Sequence, residues 1–151
     1  SGHKILLTIS AILAAVPGPK QGRLVLGLSD GPLLAGKRYP DLIQPFELRE
    51  ERIRSFLDVV EPGINVQVFA LSDPFGPSVE LPWLTTLVVS EETSEGGEAV
   101  NMERAHRGMS PLELHAVKLV ADTRMGVDDK VSSTYIRQFL HEEAKGVVED
   151  M

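Results

Sequence analysis

Residues 131–137 read Val131-Ser132-Ser133-Thr134-Tyr135-Ile136-Arg137. Three hydroxyls in succession open an apolar-periodic segment, and an arginine follows one turn later. A helix start presents unpaired N–H groups and the positive end of its dipole, so anions settle there. Ser132, Ser133 and Thr134 add donors at that end, and Arg137 can add a charge-assisted bond. Capping a helix needs one such hydroxyl and leaves two unexplained, so the segment reads as a phosphate cradle. A second cation of interest is Lys37, within Gly31-Pro32-Leu33-Leu34-Ala35-Gly36-Lys37-Arg38. The glycine and lysine spacing is that of a phosphate-binding P-loop. However, Arg38 stands where a Ser or Thr must ligate magnesium, and Pro40 follows where a helix should run, so the P-loop is rejected. Lys37 remains a cation in a long loop after a buried strand, at the strand end where open α/β sheets bind ligands. A solvated surface lysine is the plainer alternative.

Three further groups have weaker signals. Ser1-Gly2-His3-Lys4 places a histidine at a helix start, well set to meet a phosphate, although a purification-tag remnant gives a similar string. From Ser90 through Gly96-Gly97 to Asn101 and Arg104, a strand end passes into a glycine-containing turn and then a helix. Paired glycines let a backbone approach a ligand closely, but a plain strand-to-helix connection explains the same residues. Arg49 lies one turn into a helix and could face solvent or the strand-end crevice. His106, His115 and His141 show no metal-ligand spacing with carboxylates and read as surface or internally bonded histidines.

The elements that must position these residues follow from periodicity. A helix is expected over 4–15, with Ile5, Ile9, Ile12 and Leu13 on one face and Pro17-Gly18-Pro19 as its stop. Residues 23–28 form a short, nearly all-apolar run suited to a strand covered on both faces. Residues 29–45 read as a long loop with three prolines and two glycines, the kind of loop that is commonly functional. A helix follows over 46–60, with Pro45 at its start and Phe46, Ile53, Phe56, Leu57 and Val60 as its stripe. Then come a strand at 65–71, a loop at 72–77, a strand at 84–90, a helix at 99–107 closed by Gly108, a strand at 112–120 and a helix at 132–144. Alternating strands and helices predict a single α/β domain over 1–151, with a parallel sheet and helices on both faces. Such a sheet usually opens with a strand. This sequence opens inside a helix start, at Ser1 and not at Met, so a leading strand is expected upstream.

Composition narrows the function. The chain has 151 residues with 15 Lys and Arg against 22 Asp and Glu, so 15 − 22 gives a net charge of −7. A basic patch for nucleic acid is not expected from that balance. The absence of cysteine removes disulfides, thiolate catalysis and zinc-thiolate sites. The apolar run at 5–16 is too short for a bilayer, which takes about 20 residues, and it lacks the flanks of a secretory signal.

Taken together, these segments resemble the phosphopantetheine adenylyltransferases of the eukaryotic and archaeal type, within the nucleotidyltransferase superfamily. Ser1-Gly2-His3 fits the last three positions of the superfamily's His-x-Gly-His element. Val131 to Arg137 fits its Ile-Ser-Ser-Thr-x-x-Arg element, with Val for Ile. Narrower likeness comes from Ser29-Asp-Gly-Pro32, Leu42-Ile-Gln-Pro45, Asp73-Pro-Phe-Gly-Pro77, Val88-Val-Ser-Glu-Glu-Thr93 and the segment 101–108. The family's first strand and the leading histidine would lie just before Ser1.

The resemblance implies a Rossmann-like, five-stranded parallel sheet and a cytoplasmic enzyme. Its activity would be adenylyl transfer from ATP to 4′-phosphopantetheine, giving dephospho-CoA and pyrophosphate, with Mg2+ accompanying ATP. It places Gly2 and His3 at the ATP phosphates, Lys37 between the meeting phosphates, and Arg49, Ser90 and Asn101 on the pantetheine side. Ser132, Ser133 and Thr134 would cradle the β- and γ-phosphates, with Arg104, Arg107 and Arg137 as further phosphate contacts. Two alternatives stay open: a nucleotidyltransferase with another phosphorylated acceptor, and a non-catalytic nucleotide-binding homologue.

Overall fold

The structure is a computed structural model that describes residues 22–117 and 133–149. The expected helix at 4–15, Gly2, His3 and Ser132 lie outside the described residues, as does the end of the expected strand beyond Val117.

Strand β1 (Arg23–Ser29) and strand β2 (Asn65–Leu71) pair in parallel, in register from Arg23 opposite Asn65 to Ser29 opposite Leu71. The crossover between them is helix α2 (Phe46–Val60), which starts directly after Pro45. It buries Leu57 completely against Leu24, with Ile53, Phe56, Leu26, Ile64 and Val66 packed around them. Ile53, Phe56 and Leu57 belong to the stripe that 3.6-residue periodicity predicts, while Phe46 and Val60 are not part of this cluster, and the loss of these side chains from water fixes the helix on the strands. Arg54 braces the far face by bonding Glu50 Oε1 at 2.7 Å and the Val66 carbonyl at 3.0 Å.

The second half repeats the plan. Strand β3 (Thr86–Ser90) and strand β4 (Glu113–Val117) pair in parallel, Thr86 opposite Glu113 and Ser90 opposite Val117. Helix α3 (Ser94–His106) crosses between them, and Val79, Val100 and Leu112 form a separate core lined by Phe75, Leu84 and Leu87. The last described element is helix α4 (Ser133–Glu149). Among the described residues the strands therefore form two parallel pairs rather than one sheet of five. No described helix is long and apolar enough to cross a membrane.

Four expectations need correction. The segment 29–45 is not a plain loop. It holds a one-turn helix, α1 (Pro32–Ala35), and a 3-10 turn at Pro40–Leu42, each opened by a proline with its preset φ. The helix expected at 99–107 begins five residues earlier, at Ser94. Ser90 and Thr93 form a reciprocal cap over the preceding 3-10 turn, and Gly96 and Gly97 lie inside the helix. Gly97 is buried there, and a Cβ in its place would sit 3.2 Å from the Leu114 side chain. Strand β3 starts at Thr86 rather than at 84, because Leu84 turns into the second core and its N–H bonds the Leu81 carbonyl. The last helix runs to Glu149 rather than to 144.

Gly108 does close α3. At φ 70° it lets the Met109 N–H reach the Arg104 carbonyl at 2.8 Å while its own N–H bonds that of Ala105, the paired bonds of a Schellman ending.

Candidate active site

The carboxyl ends of β1 and β2 lie side by side, and the Asp30 N–H bonds the Leu71 carbonyl at 2.8 Å. Two segments leave from this end. The first, 30–45, carries Lys37 and turns on two left-handed residues, Gly31 at φ 48° and Tyr39 at φ 53°. Left-handed tyrosine is uncommon and costs about 1–3 kcal/mol, a strain that persists only where surroundings hold it. Lys37 is exposed, and among the described residues its ammonium has no hydrogen bond or ion pair.

The second segment begins at Ser72. Asp73 accepts from the N–H groups of Phe75 at 2.8 Å and Gly76 at 2.9 Å, a side-chain-closed turn. Those two bonds, that of Gly76 first, hold the Asp73 carboxyl below its ordinary pKa. Leu71 packs against Gly27 and Gly76; a Cβ at Gly27 would fall 2.6 Å from Leu71 Cδ1. Closeness of this kind is why the strand end can carry two tight turns.

Helix α4 meets the first segment. Arg137 Nε donates to the Arg38 carbonyl at 3.0 Å, and Nη2 donates to Thr134 Oγ1 at 3.2 Å. One turn later His141 packs on Tyr39, ring centroids 4.6 Å apart, and the Arg38 guanidinium lies 5.3 Å from the same ring. The start of α4, with Ser133 and Thr134, is thus joined to the Lys37 segment through 99 residues of chain separation. These contacts lie on the Tyr39 ring and on the carbonyl just before its left-handed backbone.

Arg49 also belongs to this end. Its Nη1 donates to the Ser29 carbonyl at 2.8 Å and its Nε to the Gln44 carbonyl at 2.8 Å, while Nη2 lies 3.4 Å from Asp30 Oδ1.

The remaining candidates are spent on the fold of the second half. Ser90 is buried, with its hydroxyl on Thr93 Oγ1 at 2.9 Å. Asn101 bonds Leu112 twice, its amide donating to the carbonyl at 2.9 Å and its Oδ1 accepting from the N–H at 2.7 Å. Arg104 has no exposed surface, and its guanidinium donates to the carbonyls of Ser78 at 2.6 Å, Ser110 at 2.8 Å and Leu81 at 3.2 Å. Its Nη2 has no partner among the described residues. Arg107 is exposed, bonded to Glu103 Oε1 at 2.7 Å and the Val79 carbonyl at 3.2 Å.

Sequence reasoning missed two participants. Tyr39 carries no signal, since nothing in its type announces a left-handed backbone. Asp73 does carry one: Asp-Pro-x-Gly is a recognisable turn string. His141, read as a surface or internally bonded histidine, is half-buried against Tyr39.

The arrangement is that of a parallel α/β protein in which the segment bearing Lys37, after the end of β1, is tied to the start of α4. The comparisons sharpen this. No family model matches the chain. It is 37% identical over 144 residues to a phosphopantetheine adenylyltransferase of Saccharomyces cerevisiae, 95% of this chain and 45% of that protein. It is 33% identical to the phosphopantetheine adenylyltransferase of Pyrobaculum aerophilum, covering 83% of it, and 35% identical to that of Thermococcus gammatolerans, covering 79%. The chain belongs to the phosphopantetheine adenylyltransferase family. It spans less than half the length of the yeast relatives it matches. Its fold is similar to that of an Archaeoglobus fulgidus protein of unknown function, with a TM-score of 0.57 at 18% identity over 79% of this chain and 89% of that one.

Proposed function

We propose that this chain transfers an adenylyl group from ATP to 4′-phosphopantetheine, giving dephospho-CoA and pyrophosphate. The acceptor's phosphate oxygen attacks the α-phosphorus in line. A new P–O bond forms there, and the bond to the bridging oxygen of the leaving pyrophosphate breaks. The nucleophile is already an anion, so no general base is required, and the protein's work is positioning and charge stabilisation.

The observation that carries the reading is the bond from Arg137 to the Arg38 carbonyl. It sets the hydroxyl-rich start of α4 beside the segment that bears Lys37, two features that sequence alone could not place together. In this reading Lys37, unpaired among the described residues, neutralises the meeting phosphates. Ser133 and Thr134, with Ser132 before them, cradle the β- and γ-phosphates at the helix start, and Arg137 supports them. Gly2 and His3 would serve the same triphosphate. Ser90, Asn101 and Arg104 support this reading by building the second strand pair, through the Ser90 hydroxyl, the Asn101 amide and the Nε and Nη1 of Arg104. A further strand between the two parallel pairs would join them into the five-stranded sheet.

Magnesium enters only as the companion of ATP. Among the described residues no three His, Asp or Glu side chains are grouped to hold an ion, so no ligand of the chain is assigned to it.

The test is pyrophosphate release from ATP with 4′-phosphopantetheine, nicotinamide mononucleotide and a phosphorylated alcohol as acceptors. Release with the first alone supports the reading. Release only with another acceptor, or none with any, overturns it.

A further inference from the structure

We infer that Arg49 is a positioning residue for Lys37, acting by tying together the two ends of the segment that carries it. The inference rests on the reading of Lys37 given above, but its structural half stands apart from that reading. The guanidinium takes Ser29 and Asp30, where the segment leaves β1, with one terminal nitrogen each, and takes Gln44, where it returns to α2, with Nε. These acceptors are 15 residues apart from first to last in the chain, 44 − 29, and they meet on one planar fork.

The segment has little of its own to hold it. Its internal backbone bonds are single turns: Leu33 to Asp30, Leu34 to Gly31, Gly36 and Lys37 to Leu34, Leu42 to Tyr39 and Ile43 to Pro40. It makes no strand pairing, and α1 is four residues long. Segments with few buried contacts and exposed backbone bonds open at low free energy. Arg49, by contrast, stands on a helix whose Leu57 is wholly buried, and its own side chain is 17% exposed. The anchor is therefore tied to a core that the anchored chain does not share. Arg137 fastens the middle of the segment at Arg38, the Asp30 N–H fastens the first end to the Leu71 carbonyl, and Arg49 joins that end to the returning one.

Geometry also separates this role from direct capture of a substrate anion. Three guanidinium nitrogens are already directed at acceptors of the fold. Lysine offers a point charge but cannot reproduce the planar fork. If Arg49 served only as a positive charge for substrate, Arg49→Lys would keep most of the function.

The test compares Arg49→Ala and Arg49→Lys, each alone and with Lys37→Ala, in the full-length chain, by pyrophosphate-release kinetics and by amide hydrogen exchange. Thermal melting first shows which variants fold; if Arg49→Ala does not, Arg49→Lys alone decides. The expected result is that both variants lower kcat about tenfold or more with the KM for 4′-phosphopantetheine little changed. Neither lowers turnover further in the Lys37→Ala background, and amides 33–43 exchange faster by about tenfold. Unchanged exchange, multiplicative losses with Lys37→Ala, or near-normal turnover of Arg49→Lys would each overturn the inference. A wild-type chain inactive toward every acceptor sinks the enzymatic reading instead, and exchange at 33–43 then decides the tie by itself.

Discussion

Arg137 and Arg38, 99 positions apart, are joined by a 3.0 Å bond from a guanidinium Nε to a backbone carbonyl. The relationship matters for what lies beside each residue. Arg38 precedes the left-handed Tyr39 and follows Lys37, and Arg137 sits one turn beyond Ser133 and Thr134. Through this bond, the segment that bears Lys37 is tied to the first turns of α4.

Replacing Arg137 with Ala should therefore disturb function more than stability. A bond from a charged donor to a carbonyl contributes about 1.5–3 kcal/mol when buried and less at a partly exposed site such as this. We expect a small fall in melting temperature and a drop in turnover of about tenfold or more. A variant whose pyrophosphate release matches the wild type would detach α4 from the proposed site.

Lys37→Ala should behave differently again. The side chain is exposed and makes no hydrogen bond or ion pair among the described residues, so its loss removes no contact of the fold. Surface substitutions of this kind stay within about 0.5 kcal/mol of neutral. Loss of a charge aimed at a transition state lowers turnover by about a hundredfold or more. Urea unfolding alongside steady-state kinetics checks both halves, and full activity would remove Lys37 from the reaction.

Arg104→Met should unfold the second half readily. It fills similar space but leaves the carbonyls of Ser78, Leu81 and Ser110 without their shared donor. The Ser78 carbonyl is then buried and unpaired, at a cost of about 1–3 kcal/mol, whereas Leu81 keeps the Leu84 N–H and Ser110 is exposed. The expected loss is about 2 kcal/mol by urea denaturation, and a loss below about 0.5 kcal/mol would show that water replaces the guanidinium.

Asp73 predicts an acid limb of stability. Its pKa is lowered from 3.8 by the Gly76 and Phe75 N–H bonds, aided by Arg107. A depressed carboxyl contributes stability that is present above the unfolded pKa and is lost as pH falls through the folded one. Stability of the turn at 72–77 should thus hold above about pH 4 and decline below it. Asp73→Asn keeps an oxygen acceptor and should flatten that part of the limb, measured as melting temperature against pH. An identical limb in the variant would assign it to other carboxylates.

Much of the framework was legible because period and punctuation agree. Helix Phe46–Val60 and strand Asn65–Leu71 match their expected bounds, since Pro45 starts a clean apolar stripe and Asn65 opens a run rich in valine. Helix α3 was misread at its start because Gly96 and Gly97 look like a turn. The reciprocal Ser90–Thr93 cap and the packing of Gly97 on Leu114 outweigh their low helix propensity. At the candidate site, the sequence offers Lys37 and the Ser-Ser-Thr run as a charge and a set of donors. It does not show that Ser90, Asn101 and Arg104 bond to their own chain, because spacing cannot distinguish a polar group aimed at a ligand from one aimed at a carbonyl. The tether between α4 and the Lys37 segment could not be read at all, since it depends on a carbonyl that every residue possesses.

The close approach at Gly97 reaches further than its own position. Gly97, Asn101 and Arg104 fall at i, i+4 and i+7 on α3, a single side of the cylinder. With only a hydrogen atom facing Leu114, the helix axis sits low enough for Asn101 to reach Leu112 and for Arg104 to reach three carbonyls. A methyl group at 97 would press on the Leu114 side chain, which would have to give by a few tenths of an ångström, so a hydrogen atom at this position favours the seating on which both fasteners depend.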